Sequence, residues 1–198
     1  MAGLKEKFAA KIPVWGEEIK KILKEKGDVK ISDVNVQQAY GGMRGVKGMI
    51  CDTSVVEPDK GLIIRGTPIL ELTDKLPEEI FFLLLTGDMP TDDDVKDLRE
   101  EYKKRAEVPQ YVWDVLKAMP KTSHPMAMFD TAVLVMENES IFRKRYAEGL
   151  SKSEYWDAVY EDGLNLLAKL PEIGAGVYRI RYDKGDLIKP DPDRKSVV

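Results

Sequence analysis

The spacing of apolar and polar positions predicts a chain that is mostly helical. Apolar residues recur with a helical period over residues 4–23, and Pro13 within this stretch predicts either a kink or the start of a second helix. A short helix is expected next, with Ser32 or Asp33 as its cap and Tyr40 as its last residue. These two predicted helical stretches cover most of the first forty residues.

Two short strands are predicted in the next part of the chain, over residues 50–56 and 62–65. Pro58 and Gly61 lie between them and suit a tight turn, so the two strands are expected to form a hairpin. Beyond the hairpin, residues that favour the start of a helix occur at Pro77, Thr91, Pro109, Pro125 and Ser151. The sequence predicts an all-α, multi-helix fold with one small β-hairpin near the N-terminus.

The predicted helix over residues 125–138 is apolar on nearly all sides. Such a helix must be covered on nearly all sides. It is either the central helix of the domain or part of a subunit interface. A later helix begins with a predicted capping box at Ser151–Glu154 and contains Gly174 and Gly176, which would allow close helix contacts. The Pro77 helix is expected to bury Ile80, Phe81 and Leu84.

Composition narrows the class of protein further. The 198 residues suit one domain over 1–198, with 190–198 as an extended, mobile tail. The net charge of -4 lacks the basic excess of a nucleic-acid binder, and no apolar run has the length of a membrane span. Cys51 is the single cysteine and is placed in the first strand as a structural thiol. No targeting pattern is recognised at the N-terminus, which predicts a cytoplasmic location.

Candidate chemistry concentrates in the loop from Gly41 to Gly48, which holds four glycines with Arg44 and Lys47. Glycines let backbone N–H groups turn toward a ligand and the two cations attract anions, so the loop could cradle a phosphate or carboxylate. The alternative is a flexible crossover between a helix and the hairpin. His124, the only histidine, is interpreted as a helix cap, and the aspartates at 92–94 as helix-starting residues rather than a metal site.

The glycine loop and hairpin, residues 41–66, closely resemble the N-terminal part of citrate synthase. The similarity continues over roughly residues 4–192, and the helical lead-in resembles the eukaryotic-type branch. So many ordered segments make chance similarity very improbable. The segments that carry it after the hairpin are residues 83–91, 104–109, 123–126, 139–142, 146–149, 155–156, 160–162 and 168–171.

The resemblance implies a largely helical homodimer that condenses acetyl-CoA with oxaloacetate to give citrate and CoA. It also implies that the family's two catalytic histidines and aspartate lie in a C-terminal half that this chain lacks, so no catalytic residue is assigned. Arg44 corresponds to a family arginine that contacts the CoA phosphates. Lys152 stands where relatives place another phosphate-contacting arginine, with its charge kept and the planar fork lost. His124 corresponds to a histidine that begins an interface helix.

Two functions follow from this resemblance. The first is a piece of a citrate synthase, as a fragment or as one half of a split enzyme, that is not catalytic alone. The second is a non-catalytic dimerisation module derived from that family, so whether the chain is an enzyme stays open. The expected partners are a second copy or a complementary C-terminal half, with weak CoA binding and no metal, cofactor, nucleic acid or membrane. Citrate and 2-methylcitrate synthesis are not separated.

Overall fold

The computed structural model describes residues 3–189, which are predominantly helical. The chain divides into two compact units, Met1–Val95 and Lys96–Val198. The single domain over 1–198 stays a prediction, and the expected tail at 190–198 lies outside the described residues. Within residues 3–189, no helix is both long and apolar enough to cross a membrane.

The first unit opens with one long helix, α1, over Leu4–Lys26. Pro13 lies inside α1, so it does not begin a second helix, and Gly27 follows as the C-cap. The next helix, α2, spans Val36–Tyr40 and ends at the predicted residue.

The cap of α2 is Asn35, so the prediction of Ser32 or Asp33 was wrong. The Asn35 side chain accepts a bond from the backbone N–H of Gln38 (2.8 Å), and the Gln38 side chain accepts one from the Asn35 N–H (3.1 Å). This reciprocal pair satisfies two backbone donors at once, which explains why the helix begins later than expected.

The hairpin is confirmed as part of a three-stranded antiparallel sheet. Strand β1, Ser54–Glu57, pairs with β2, Gly61–Ile64, and β2 pairs with β3, Thr67–Pro68. Strand β3 was not predicted, because it is only two residues long and contains a proline, so it has no alternating apolar pattern. Cys51 precedes β1, so its predicted place in the first strand was wrong.

The sheet is fixed to helix α3, which spans Pro77–Thr86. The Arg65 guanidinium donates two bonds to the Leu84 carbonyl, through Nε (3.0 Å) and Nη2 (2.7 Å). Carbonyls in the last turn of a helix lack intrahelical partners, so these bonds satisfy one of them. Gly87 then ends α3 in the left-handed conformation, at φ 80°.

The small core of this unit forms where α3 meets the sheet, around Ile64, Leu72 and Leu83. The buried apolar residues of α3 are Phe82 and Leu83, and the polar Glu78 and Thr86 of the same helix are buried as well. The prediction had named Ile80, Phe81 and Leu84 instead. All three are only half-buried, although Ile80 and Leu84 do pack against this core.

The second unit contains most of helix α4, which follows the Thr91 cap, and four further helices. The division between the two units falls within α4. The helices are α4 (Asp92–Arg105), α5 (Gln110–Ala118), α6 (Pro125–Val135), α7 (Ile141–Ala147) and α8 (Tyr155–Arg181).

The core of the second unit lies between α5, α6 and α8. Val112 and Leu116 of α5, Met128 and Ala132 of α6 and Ile173 of α8 are all fully buried there. Apolar side chains at helical spacing on each of three helices provide this core.

One face of helix α6 therefore lies in the core of its unit, which agrees with the first of the two alternatives, a central helix. Met128 and Ala132 lie inside the unit, whereas Met126 and Leu134 are exposed. The exposed face leaves the subunit-interface alternative as a prediction. Because Met128 is buried within its own chain, a charge placed there would test this core rather than an interface.

The start of α8 differs from its prediction. Ser151 bonds to the side chains of Ser153 and Glu154, both at 2.8 Å, and a 3-10 turn over Lys152–Glu154 precedes the helix. The expected capping box is therefore not formed. An unpredicted cap occurs within the same unit, where the Asp162 carboxylate accepts bonds from the backbone N–H groups of Ile141 and Phe142 at the start of α7.

Candidate functional site

The glycine loop follows directly from α2. Gly42 and Gly45 have φ values of 76° and 75°, and Met43 between them has φ 63°. A Cβ at either glycine would meet no atom within 4 Å. Glycine at these two positions therefore serves the left-handed backbone rather than a close approach by a neighbouring group.

Internal hydrogen bonds hold the loop in shape. The backbone N–H of Met43 donates to the Gln38 carbonyl (2.7 Å), that of Val46 to the Met43 carbonyl (3.1 Å), and that of Lys47 to the Ser32 hydroxyl (3.3 Å). The loop is therefore an ordered turn rather than a free crossover. These bonds also use three of the N–H groups that the cradle hypothesis would direct to a ligand, which leaves its two cations as the main anion-binding groups.

The side chains of Arg44 and Lys47 are both exposed. Gln38 Nε2 donates to the Arg44 carbonyl (3.4 Å), which helps to fix the backbone from which the guanidinium projects. Over residues 3–189, no carboxylate forms a salt bridge with either cation. Two unpaired cations three residues apart can attract an anion, and Arg44 can contact phosphate oxygens through two N–H groups at once.

An apolar groove lies beside this loop and was missed in the sequence. It has a volume of about 560 Å³ and is lined by Ile31 and by residues 46–50. The signal was missed because the apolar residues Val46, Met49 and Ile50 follow neither a helical nor a strand period. The groove places apolar surface next to the Lys47 cation.

Lys152, the other predicted phosphate contact, is exposed in the 3-10 turn before α8. It belongs to the second unit, whereas Arg44 belongs to the first. Each is open to solvent within its own unit, and their roles at a phosphate stay predictions.

The remaining polar candidates have structural roles. His124 Nδ1 accepts a bond from the Met126 N–H (3.2 Å) at the start of α6, which confirms its predicted capping role. Thr91 caps α4, where its hydroxyl accepts a bond from the Asp94 N–H (3.3 Å).

The Asp94 carboxylate is held by Lys7, whose Nζ lies 2.6 and 2.7 Å from its two oxygens. Burial would raise the pKa of Asp94, but hydrogen bonds from Lys7 and Thr91 lower it overall. These contacts confirm that the acidic cluster starts a helix and tie α4 to α1 within the first unit.

Cys51 is exposed, and its Sγ lies 3.2 Å from the Thr53 hydroxyl oxygen. The Thr53 side chain, followed by the backbone of Ser54 and Thr53, lowers the pKa of this thiol to about 7. A substantial thiolate fraction therefore exists at neutral pH, so this cysteine is more reactive than a structural strand thiol would be.

We expect Cys51 to react with iodoacetamide at a rate that rises with pH through about 7. The Thr53→Val substitution removes the largest cause of the lowered pKa, so the same curve should move to higher pH. Alkylation followed by intact mass spectrometry at a series of pH values measures both curves. Superimposable curves for the two proteins would contradict this account of the thiol.

The fold and the loop together define a class: a predominantly helical protein with a small antiparallel sheet and a cationic glycine turn beside it. A family model described as "Citrate synthase, C-terminal domain" matches residues 42–198. The chain belongs to the citrate synthase family. Because that description names the C-terminal domain, our placement of the chain in the N-terminal half of the family stays a prediction.

Curated relatives agree with the family. The chain is 46% identical to the mitochondrial citrate synthase of Saccharomyces cerevisiae over 96% of its own length and 42% of that relative. It is 45% identical to the mitochondrial 2-methylcitrate synthase of Yarrowia lipolytica, over 94% of this chain and 42% of the relative. The chain thus spans less than half the length of these relatives and is a partial chain of the family.

Solved structures agree on the fold. The citrate synthase of Pyrobaculum aerophilum superposes with a TM-score of 0.68 at 26% identity, over 78% of this chain and 39% of that one. The enzyme of Thermoplasma acidophilum, solved with carboxymethyl coenzyme A and oxaloacetate, gives a TM-score of 0.62 over 81% of this chain and 40% of that one. At 19% identity, the second similarity concerns the fold alone.

Proposed function

We propose that this chain is one part of a citrate synthase, which condenses acetyl-CoA with oxaloacetate only when the rest of the family fold is supplied. The observation that carries this proposal is 46% identity to a citrate synthase, confined to 42% of that relative's length. The contribution of this chain is the cationic loop, where Arg44 is the candidate contact for CoA phosphates and Lys152 is a second one.

Two activities are candidates, citrate synthesis and 2-methylcitrate synthesis, each with its own acyl and keto-acid substrates. Relatives named citrate synthase and 2-methylcitrate synthase are almost equally similar to this chain. Relatives are also named mitochondrial or peroxisomal, so the cytoplasmic location stays a prediction.

A second candidate function is a dimerisation module without catalysis. The exposed Met126 and Leu134 on α6 favour it, since apolar side chains left on a surface promote association. In this alternative the CoA phosphates would have no binding site, which separates the two candidates experimentally.

We expect the chain to bind CoA weakly through its phosphates. One or two charge-assisted hydrogen bonds contribute about 1.5–3 kcal/mol each, which only partly offsets the cost of association. The dissociation constant should be on the order of millimolar and should rise with salt. Arg44→Ala should abolish binding, and ligand-observed NMR of CoA can measure this.

Lys47→Ala is the matched control, because Lys47 lies in the same loop and is also exposed. Its effect should be smaller than that of Arg44→Ala, since a point charge attracts phosphate without the bidentate geometry of a guanidinium. Equal CoA affinity in the parent and in Arg44→Ala would show that the loop is a connector, and would favour the dimerisation module.

A further inference from the structure

The turn between β2 and β3 consists of two residues, Arg65 and Gly66, whose φ values are 47° and 84°. A two-residue hairpin turn with positive φ at both positions favours Asn-Gly, because asparagine adopts the left-handed conformation more readily than most other residues. An arginine at the first position therefore carries backbone strain that its side-chain contacts must offset. Strained residues cluster at functional sites, so the contacts of Arg65 indicate its role.

The Arg65 side chain is largely buried, with 12% of it exposed, and it joins three separate parts of the first unit. Its Nε and Nη2 donate to the Leu84 carbonyl near the end of α3. Its Cζ lies 5.1 Å from the centre of the Trp15 ring on α1, within the range of a cation–π contact. Its Nη1 lies 3.4 Å from a carboxylate oxygen of Asp52. Two helices therefore hold the guanidinium that contacts Asp52.

Asp52 belongs to the short stretch that connects the glycine loop to β1. Its neighbour Thr53 is held by the same arginine, because the backbone N–H of Arg65 donates to the Thr53 carbonyl (2.9 Å). The start of the glycine loop is fixed by backbone hydrogen bonds to α2. Arg65 thus fixes the far end of a stretch whose near end is fixed by α2, and Arg44 lies between the two ends.

We propose that Arg65 is a positioning residue for the glycine loop: it holds the loop's exit at Asp52 and Thr53, and so sets the place from which Arg44 reaches the phosphates of CoA. This inference rests on the proposed function, in which Arg44 contacts those phosphates. Arg65 itself does not touch CoA, because its guanidinium is engaged by Leu84 and Asp52. A residue that only stabilised the first unit would leave the CoA affinity of the folded protein unchanged when replaced.

The test compares CoA binding by the parent chain and by Arg65→Asn, with ligand-observed NMR at a temperature where both are folded. Asparagine suits the turn, so the substitution keeps the backbone and removes the side-chain contacts. A displaced Arg44 should lose about one charge-assisted contact, which lowers CoA affinity about tenfold or more. Lys60→Asn is the matched control, because it removes an exposed cation from the other turn of the same sheet, and it should change the affinity less than about twofold.

Asp52→Asn is a second test, in which the sign of the effect is decisive. By charge alone, loss of an anion near the loop should strengthen the binding of an anionic ligand. If Arg65 acts through Asp52, the CoA affinity should instead fall, by about two- to fivefold for an exposed ion pair. Asp59→Asn makes the same chemical change in the turn between β1 and β2 and should not lower the affinity. Because Asp52 is 75% exposed, this variant decides the question even if Arg65→Asn does not fold.

The backbone amide resonances of Arg44 and Gly45 give a readout that does not need CoA. They should shift in Arg65→Asn and in Asp52→Asn, and stay in place in Lys60→Asn. Unchanged CoA affinity in the folded variants overturns the positioning role and leaves the proposed function standing. A fall in affinity without a shift of these resonances also overturns it, because Arg65 would then contact the ligand itself. A parent chain that does not bind CoA overturns both the role of Arg44 in the proposed function and this inference.

Discussion

The purified chain, assayed alone, is expected to show no condensation of acetyl-CoA with oxaloacetate. This expectation rests on the prediction that the family's catalytic histidines and aspartate lie in the part of the relatives that this chain does not match. Loss of a general acid or base alone costs about 10²–10⁴ in rate, and loss of the whole set should place turnover below detection. Release of the CoA thiol, followed with a chromogenic disulfide, measures the reaction.

The positive control is the complete Saccharomyces mitochondrial relative, to which this chain is 46% identical. Cys51 should be alkylated beforehand, because an exposed thiol with a pKa of about 7 would itself react with the disulfide reagent. Turnover by the chain alone in the ordinary enzyme range of about 1–1000 per second would contradict the proposal that it needs a second polypeptide.

Local signals in the sequence predicted several helix starts correctly. Pro77, Thr91 and His124 each act on the first turn of a helix, so their roles depend little on the rest of the fold. The cap of α2 was missed because three polar candidates lie within four residues. The choice of Asn35 depends on a reciprocal bond with Gln38 that spacing alone does not rank.

Features that depend on distant residues were less predictable. The fixing of α3 by Arg65 joins residues 19 positions apart, and the cap that Asp162 gives to Ile141 joins residues 21 apart. The groove beside the glycine loop has no periodic signature, because its walls come from irregular backbone around Ile31 and residues 46–50. The sequence was enough to propose that Arg44 binds an anion. That the loop N–H groups are used in internal hydrogen bonds became visible only in the structure.

Gly176 was expected to allow a close helix contact, and the structure shows how close that contact is. A Cβ at this position would clash with Cζ3 of the Trp113 ring, and it would lie 2.8 Å from Cη2 of that ring and 3.4 Å from a methyl group of Leu187. Trp113 is itself 5% exposed within the core of the second unit, so the ring cannot swing away into solvent. Gly174, by contrast, leaves 3.8 Å to Phe129 and tolerates a methyl group.

We therefore expect Gly176→Ala to lower the free energy of unfolding by about 1–3 kcal/mol, the usual cost of overpacking a core. The larger Gly176→Val should prevent the second unit from folding. Urea unfolding followed by circular dichroism measures the first, and the yield of soluble protein reports the second.

Gly163→Ala is the matched control in the same helix, because a Cβ there would meet nothing within 4 Å. Without a clash, the better helix propensity of alanine should raise the free energy of unfolding by roughly 0.5–1 kcal/mol. The two substitutions make the same chemical change in α8, so opposite signs isolate the contact with Trp113 as the cause. If Gly176→Ala were as stable as Gly163→Ala, α8 and α5 would not approach as closely as the structure has them.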